Sequence, residues 1–187
     1  MKVAILDSCV LYSAVLRDFF MRLLLEKTFQ GKWTEEIHQE WIRNVLEDRP
    51  DLAREQLERS RDKMNLWGGD CLVRNYEAII SSLSLPDEND RHVLATAIVA
   101  KANFIVTFNL SDFPPKTLQT YEVQAIHPDK YLCALLDLEE ERFLEGVRVH
   151  RASLKKPPKT PEEYLETLRS NGLTQLTSRL KDYQNEI

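Results

Sequence analysis

Apolar residues in this chain are grouped into short continuous runs that alternate with longer stretches of helical spacing. The runs Val3 to Leu6, Phe104 to Thr107 and Val123 to Ile126 are rich in aliphatic and β-branched residues. Runs of this length are typical of parallel strands that are buried on both faces, with the last one a candidate edge strand. Between Pro86 and Phe113 the order is a carboxylate-rich turn, an amphipathic helix, a strand and a second polar turn. This alternation predicts an α/β fold with a doubly wound parallel sheet.

The helical stretches predict the elements around the sheet. One helix is expected from about Ser8 to Lys27, and another begins at Thr34, a capping residue that precedes the apolar positions Ile37 and Trp41. From Asp137 onward the composition changes and leucines recur at helical spacing. The sequence therefore predicts a small α-helical extension at the C-terminal end.

Composition describes an ordinary globular protein. The 187 residues are 43% hydrophobic and 29% charged, with a net charge of −5. A negative charge argues against a nucleic-acid partner, but an acidic metal pocket would account for several of these charges. The three cysteines lie far apart, which predicts reduced thiols in a cytoplasmic protein. The apolar runs are all shorter than the ~20 residues of a membrane span, and the MKVAILD start does not resemble a signal peptide.

Acidic side chains fall at the ends of the predicted strands. Asp7 directly follows the first strand, and Asp112 lies in the turn after the strand that ends at Thr107. Asp87 and Asp90 precede the helix that runs back, antiparallel, toward that strand. Because the carboxyl ends of parallel strands open at one edge of the sheet, we expect these acids to meet there.

A cluster of carboxylates needs a cation to offset its repulsion. Oxygen ligands of this kind suit Mg²⁺ or Mn²⁺, and such an ion can orient a water for attack on a phosphodiester. Other interpretations remain open at this point. Asp7 can be a helix N-cap, Asp87 and Asp90 can form a capping arrangement, and Asn109 can simply form a turn. Thr107 can hydrogen-bond an acid or a metal-bound water, or only fill a strand position.

Further polar residues lie near these acids in the sequence. Glu40 is close to the apolar face of its helix, although most glutamates in such a helix are solvated. His92 follows Asp90 but points away from it on the helix, which favours a surface position or a phosphate contact. Arg91 and Lys101 are also candidates for phosphate contact.

Four features together resemble a PIN domain of the VapC type. They are Asp7 after an apolar strand, Glu40 on a following helix, and the motifs DENDRHVLATAI and IVTFNLSDFP. The resemblance covers residues 1–133 and leaves residues 134–187 as the helical C-terminal extension. It implies a three-layer α/β/α fold with a central parallel sheet.

The same resemblance implies a metal-dependent endoribonuclease that hydrolyses RNA. Its implied catalytic residues are Asp7, Glu40, Asp90 and Asp112, with Asp87, Thr107 and Asn109 in support. The metal ligands would be Asp7, Asp90 and Asp112, and the ion Mg²⁺ or Mn²⁺. Many bacterial members are toxins, so the implied partners are an RNA substrate, a cognate antitoxin and a second copy of the chain.

Three other functions remain open from the sequence. The chain can be an RNA-processing nuclease that is not a toxin, or a non-cleaving PIN module that binds RNA or protein. The intact set of four acids argues against the non-cleaving module. A phosphate-ester hydrolase with an aspartyl nucleophile normally has a second Asp two residues later, whereas here Cys9 follows Asp7 at that spacing.

Overall fold

The sheet of this protein is entirely parallel. In the computed structural model, which describes residues 2–187, four strands lie in the order β2-β1-β3-β4. The strands are β1 Val3–Leu6, β2 Gln30–Lys32, β3 Phe104–Val106 and β4 Gln124–Ile126. Ile5 pairs in register with Lys32 on one side and with Ile105 on the other. The predicted α/β fold, with a parallel sheet flanked by helices and a C-terminal helical region, is confirmed.

Helices connect the strands and form the C-terminal region. They are α1 Ser8–Tyr12, α2 Ala14–Leu25, α3 Glu35–Asp48, α4 Arg54–Gly68, α5 Glu77–Ile80, α6 Arg91–Val99, α7 Pro115–Gln119, α8 Pro128–Leu138, α9 Glu140–Ser153, α10 Pro161–Ser170 and α11 Thr174–Leu180. Short 3-10 turns span Glu88–Asp90, Leu110–Asp112 and Lys181–Tyr183. Within residues 2–187, none of the helices combines the length and the apolar character that a bilayer crossing requires.

Two compact units make up the chain, and each is assembled from two separate segments. The sheet unit contains the chain up to Tyr12 and Gln30–His127, and the helical unit contains Ser13–Phe29 and Pro128–Ile187. The predicted boundary after residue 133 stays a prediction. The units of the structure instead divide before α8, because α8 packs against α9 and α11.

The single helix predicted from Ser8 to Lys27 is wrong, because it breaks at Ser13. Ser13 has an extended backbone, and its hydroxyl accepts a hydrogen bond from the Leu16 amide at 3.3 Å. Ser13 is therefore the N-cap of α2 and ends α1. This break assigns α1 to the sheet unit and α2 to the helical unit.

A buried polar network fixes α3 in the sheet unit. The Trp41 indole donates to His38 Nδ1 at 3.0 Å, and His38 Nε2 bonds Asn65 Oδ1 at 3.0 Å. The Trp33 indole donates to the same Asn65 oxygen at 2.8 Å. Because α3 carries Trp41 and α4 carries Asn65, this network joins the two helices through satisfied polar groups.

Close helix contact characterises the helical unit. Phe19 of α2 stacks on His150 of α9 at 5.2 Å between ring centroids and meets Phe143 edge-on at 6.0 Å. A Cβ at Gly146 would come within 2.8 Å of the Leu23 side chain. The glycine thus permits the close approach of α2 and α9.

The helical unit also contains a long-range helix cap. Asp129 of α8 is 1% exposed, and its carboxylate accepts hydrogen bonds from the amides of Gln175 at 2.8 Å and Leu176 at 2.9 Å. These amides open α11, whose own N-cap residue, Leu173, has no polar side chain. Asp129 therefore accepts hydrogen bonds from amides for which the N-cap residue of α11 provides no side-chain acceptor.

We expect Asp129→Ala to destabilise the protein by about 2 kcal/mol, because two buried amides lose their acceptor. In a chain of this size that corresponds to a decrease in Tm of about 4–8 °C. Thermal unfolding followed by circular dichroism measures the effect. Asp129→Asn keeps an acceptor oxygen and should lose less, so equal Tm values for Asp129→Ala and the wild type would contradict the capping role.

Candidate active site

Asp7 is fixed at the end of β1 by bonds from its neighbours. Its side chain is 3% exposed, and its backbone amide donates to the Val106 carbonyl at 3.2 Å. One carboxylate oxygen accepts the Thr107 hydroxyl at 2.6 Å, and the other accepts the Ser8 amide at 2.6 Å. These bonds compensate for the water that a buried carboxylate loses.

Thr107 connects Asp7 to the turn after β3. The Thr107 side chain is fully buried, and its hydroxyl, while donating to Asp7, accepts the Asn109 amide at 3.0 Å. Of the three interpretations of Thr107 left open by the sequence, the geometry supports the hydrogen bond to an acid. The Asn109 amide therefore helps to orient Asp7 through Thr107, whereas the Asn109 side chain is exposed.

Cys9 also contacts this pair, which the sequence did not predict. Its thiol donates to Asp7 Oδ2 at 3.2 Å and accepts the Phe108 amide at 3.4 Å. Burial, and then the charge of Asp7, raises the pKa of Cys9 to about 12, so the thiol remains a protonated donor at neutral pH. The sequence signal that could have predicted this contact is the position of Cys9, two residues after Asp7.

The turn before α6 separates the roles of Asp87 and Asp90. Asp87 caps the Glu88–Asp90 turn by accepting the Asn89 amide at 2.9 Å. Within the described part of the chain, the Asp90 carboxylate makes no capping bond to α6, and it is half-buried. The capping interpretation therefore describes Asp87, and Asp90 presents its carboxylate at the N-terminal end of α6.

Four other carboxylates lie within electrostatic range of Asp90. Burial raises the pKa of Asp90, and the charges of Asp7, Asp112, Asp87 and Glu40 raise it further, to about 7. The acids that the topology was expected to bring together thus lie close in space, and Glu40 joins them. At neutral pH burial, together with the repulsion from these acids, leaves Asp90 only partly ionised.

Asp112 reaches the cluster from the turn after β3. Its backbone amide donates to the Asn109 carbonyl at 3.2 Å, and the Ser111 hydroxyl donates to its carboxylate at 3.2 Å. Asn109 is therefore the residue that closes this turn, as its turn-forming interpretation predicts.

Glu40 is hydrogen-bonded to His92, a histidine for which the sequence favoured a surface position. His92 Nε2 lies 2.9 Å from Glu40 Oε1, and the His92 side chain is only 3% exposed. The surface position favoured for His92 is wrong, because α3 covers it. Burial lowers the pKa of His92, but the hydrogen bond to Glu40 and the charges of Glu40, Glu36 and Asp7 together raise it above its ordinary value.

The other two candidates for phosphate contact have different positions. Arg91 directly follows Asp90 in the chain, and its guanidinium pairs with Glu88 at 2.5 Å. Lys101 follows the C-terminal end of α6, whose nine residues span about 14 Å. Lys101 is therefore at the opposite end of the helix from Asp90, and a phosphate contact by Lys101 at these acids is not supported.

The donor chemistry of the cluster fits a hard divalent cation. Among residues 2–187, no group of three or more His, Cys, Asp or Glu side chains is already arranged as a metal-ligand shell. The cluster nevertheless consists of carboxylate oxygens, and the raised pKa of Asp90 results from burial together with a repulsion that a cation would offset. Oxygen donors of this kind are those that Mg²⁺ and Mn²⁺ prefer.

We expect Asp90→Asn to stabilise the protein in EDTA at pH 8. The folded-state pKa of Asp90, about 7, lies above its unfolded value of about 4, so ionisation of Asp90 costs the folded state stability. That cost is absent below about pH 4 and complete above about pH 7. After discounting for partial exposure, a net effect of about 1 kcal/mol corresponds to an increase in Tm of about 2–4 °C.

The measurement is Tm against pH for the wild type and Asp90→Asn, both in EDTA. Their difference should shrink as the pH falls from 8 to 4.5. Asp182→Asn, at an exposed acid, serves as the control and should show no such trend. A difference between wild type and Asp90→Asn that is constant across this range would contradict the crowding of Asp90.

Comparison with known proteins finds similarity to a protein that is named a ribonuclease. The chain is 42% identical over 79 residues to a protein of Mycobacterium tuberculosis (strain ATCC 25618 / H37Rv) named "Putative ribonuclease VapC50", and the match covers 42% of this chain and 47% of that protein. The matched region thus spans about half the length of that curated relative. No solved structure matches the chain.

Two protein-family models match different parts of the chain. Residues 128–182 match the VapC50 C-terminal domain. Residues 3–111, more than half of the chain, match the PIN domain. The resemblance predicted from the sequence motifs is confirmed, and the chain belongs to the PIN-domain family.

Proposed function

We propose that this chain is an endoribonuclease that hydrolyses phosphodiester bonds in RNA with Mg²⁺ or Mn²⁺. The observation that carries this proposal is the group of carboxylates around Asp90, where burial and then the charges of its neighbours raise the pKa of Asp90 to about 7. Such an arrangement is unfavourable for stability and is typical of functional sites. The word ribonuclease in the name of the mycobacterial relative supports the choice of RNA.

Three of the acids would hold the ion. Asp7, Asp90 and Asp112 lie at the sheet edge, and the buried bonds to Asp7 fix one of them in place. When bound, the ion supplies positive charge that activates a water and stabilises the leaving oxygen of the phosphodiester. Thr107 keeps Asp7 oriented, while Asp87 and Asn109 shape the two turns that present Asp90 and Asp112.

Glu40 has a different part in the proposed reaction. Its carboxylate bonds His92 and lies within electrostatic range of Asp90. An ionised glutamate in this position can orient the attacking water and accept its proton. Arg91, after release from Glu88, is the cation nearest to the acids in the sequence and is proposed to contact the phosphate.

We also propose that the nuclease is the toxin of a toxin–antitoxin pair. The match of residues 128–182 to the VapC50 C-terminal domain favours a VapC-type toxin over an RNA-processing nuclease. Its partners would be the RNA substrate and a cognate antitoxin protein, and two copies of the chain would form a homodimer. The proposed location is the cytoplasm.

Purified protein should cleave RNA with Mg²⁺ or Mn²⁺ and lose this activity in EDTA. Asp7→Asn and Asp90→Asn should each reduce the rate by about 100-fold or more, because each removes a charged oxygen ligand. Gel-based cleavage of a labelled RNA measures the rates, with Asp182→Asn as the control for charge alone. Equal activity of the wild type, the EDTA-treated sample and both variants would reject the metal assignment.

Expression of the chain alone should arrest the growth of a bacterial host. Asp90→Asn should not arrest growth, since the arrest requires cleavage, and co-expression of the small neighbouring open reading frame should restore growth. Colony counts after induction measure both effects. A protein that cleaves RNA in vitro but does not arrest growth would instead be an RNA-processing nuclease.

A further inference from the structure

His92 links two helices of the sheet unit at the acid cluster. It lies in the first turn of α6, two residues after Asp90, and its Nε2 is 2.9 Å from Glu40 Oε1 of α3. The His92 side chain is 4% exposed, whereas the Glu40 side chain is 21% exposed. A buried ring thus hydrogen-bonds a carboxylate whose side chain remains partly exposed.

A second glutamate lies on the other side of the same ring. Glu36 precedes Glu40 by one helical turn, so both carboxylates project from one face of α3. Glu36 Oε2 lies 3.6 Å from His92 Nδ1, beyond hydrogen-bond distance, and accepts the Tyr76 hydroxyl at 3.1 Å. Among residues 2–187, no hydrogen-bond partner of His92 Nδ1 is found. The imidazole therefore lies between two carboxylates and is bonded to only one of them.

We propose that His92 is a positioning residue, whose Nε2–H holds the Glu40 carboxylate at the acid cluster while Glu36 faces the ring from the opposite side. The proposal rests on the proposed nuclease function, in which Glu40 orients the attacking water. A glutamate side chain loses substantial rotamer freedom when it is fixed in one geometry. The hydrogen bond from a buried ring restricts that freedom before substrate arrives, which is how preorganisation lowers a reaction barrier.

A purely structural role is the competing explanation, because the buried His92 ring also packs between α3 and α6. The two roles differ in what they require at position 92. Joining the helices needs a side chain that fills the space, whereas positioning Glu40 needs a hydrogen-bond donor. Leucine fills the space without a donor, and glutamine offers an amide N–H in place of Nε2–H.

The test compares His92→Leu with His92→Gln in the metal-dependent RNA cleavage assay. We expect His92→Leu to lower kcat by about 10–100-fold, with KM changed by less than roughly threefold. His92→Gln should recover most of the lost kcat. The pair His92→Leu and Glu40→Gln should be non-additive, because His92 acts through Glu40: the double variant should be no slower than Glu40→Gln alone.

His38 provides a matched control on the helix that carries Glu40. It is also fully buried, but it bonds Trp41 and Asn65 instead of an acid of the cluster. We expect His38→Gln to keep the wild-type kcat once the rate is corrected for the folded fraction, which circular dichroism gives for every variant. An equal loss of kcat in His38→Gln and His92→Leu would assign the effect to packing and overturn the proposal.

Further outcomes would overturn it as well. They are a wild-type kcat in His92→Leu, equal kcat in the Leu and Gln variants at position 92, or additive losses with Glu40→Gln. Failure of the wild type to cleave RNA would instead reject the proposed function. In that event the ¹³C signal of the Glu40 side-chain carboxyl decides the positioning: it should move in His92→Leu and not in His38→Gln, and an unmoved signal rejects the role of His92.

Discussion

The carboxylate of Asp7 is 3% exposed, and a buried charge costs several kcal/mol unless hydrogen bonds replace the lost water. At Asp7 they do, because Thr107 and Ser8 both donate to it. Asp7 therefore gives the acid cluster one carboxylate whose position is fixed. Asp90 is also partly buried and lies near four other acids, and burial together with their charges raises its pKa to about 7. Hydrogen bonds thus fix the position of one acid, while burial and nearby charges favour the protonated form of another unless a cation is bound.

Much of this arrangement follows from rules that act on short stretches of sequence. Parallel strands open at one edge, so Asp7 and Asp112 could be placed together as soon as β1 and β3 were recognised. The helix that begins after Asp90 returns from that edge, which adds a third acid. Lys101 could have been excluded by the same reasoning, because a helix of nine residues separates it from the N-terminal end of α6.

Other features depend on contacts that a local pattern does not contain. Ser13 lies within a stretch of helical spacing, and only the different partners of α1 and α2 show why the helix ends there. The burial of His92 depends on how α3 lies against the start of α6, which the periodicity of neither helix determines. A histidine that directly precedes the buried pair Val93 and Leu94 was the one available hint, and it is equally common at exposed positions.

Buried hydrogen bonds between residues distant in the sequence fix the side-chain positions that the apolar pattern does not determine. His92 and Glu40 are 52 residues apart in the chain, and Asp129 is 46 residues from the Gln175 amide that it caps. Hydrophobic burial is non-directional, so it brings elements together without fixing individual side chains. A hydrogen bond inside the protein is directional, and an unmade one is costly, which excludes neighbouring geometries. Because a displacement of about 1 Å can cost a reaction about 100-fold, such bonds decide whether clustered acids can act as one site.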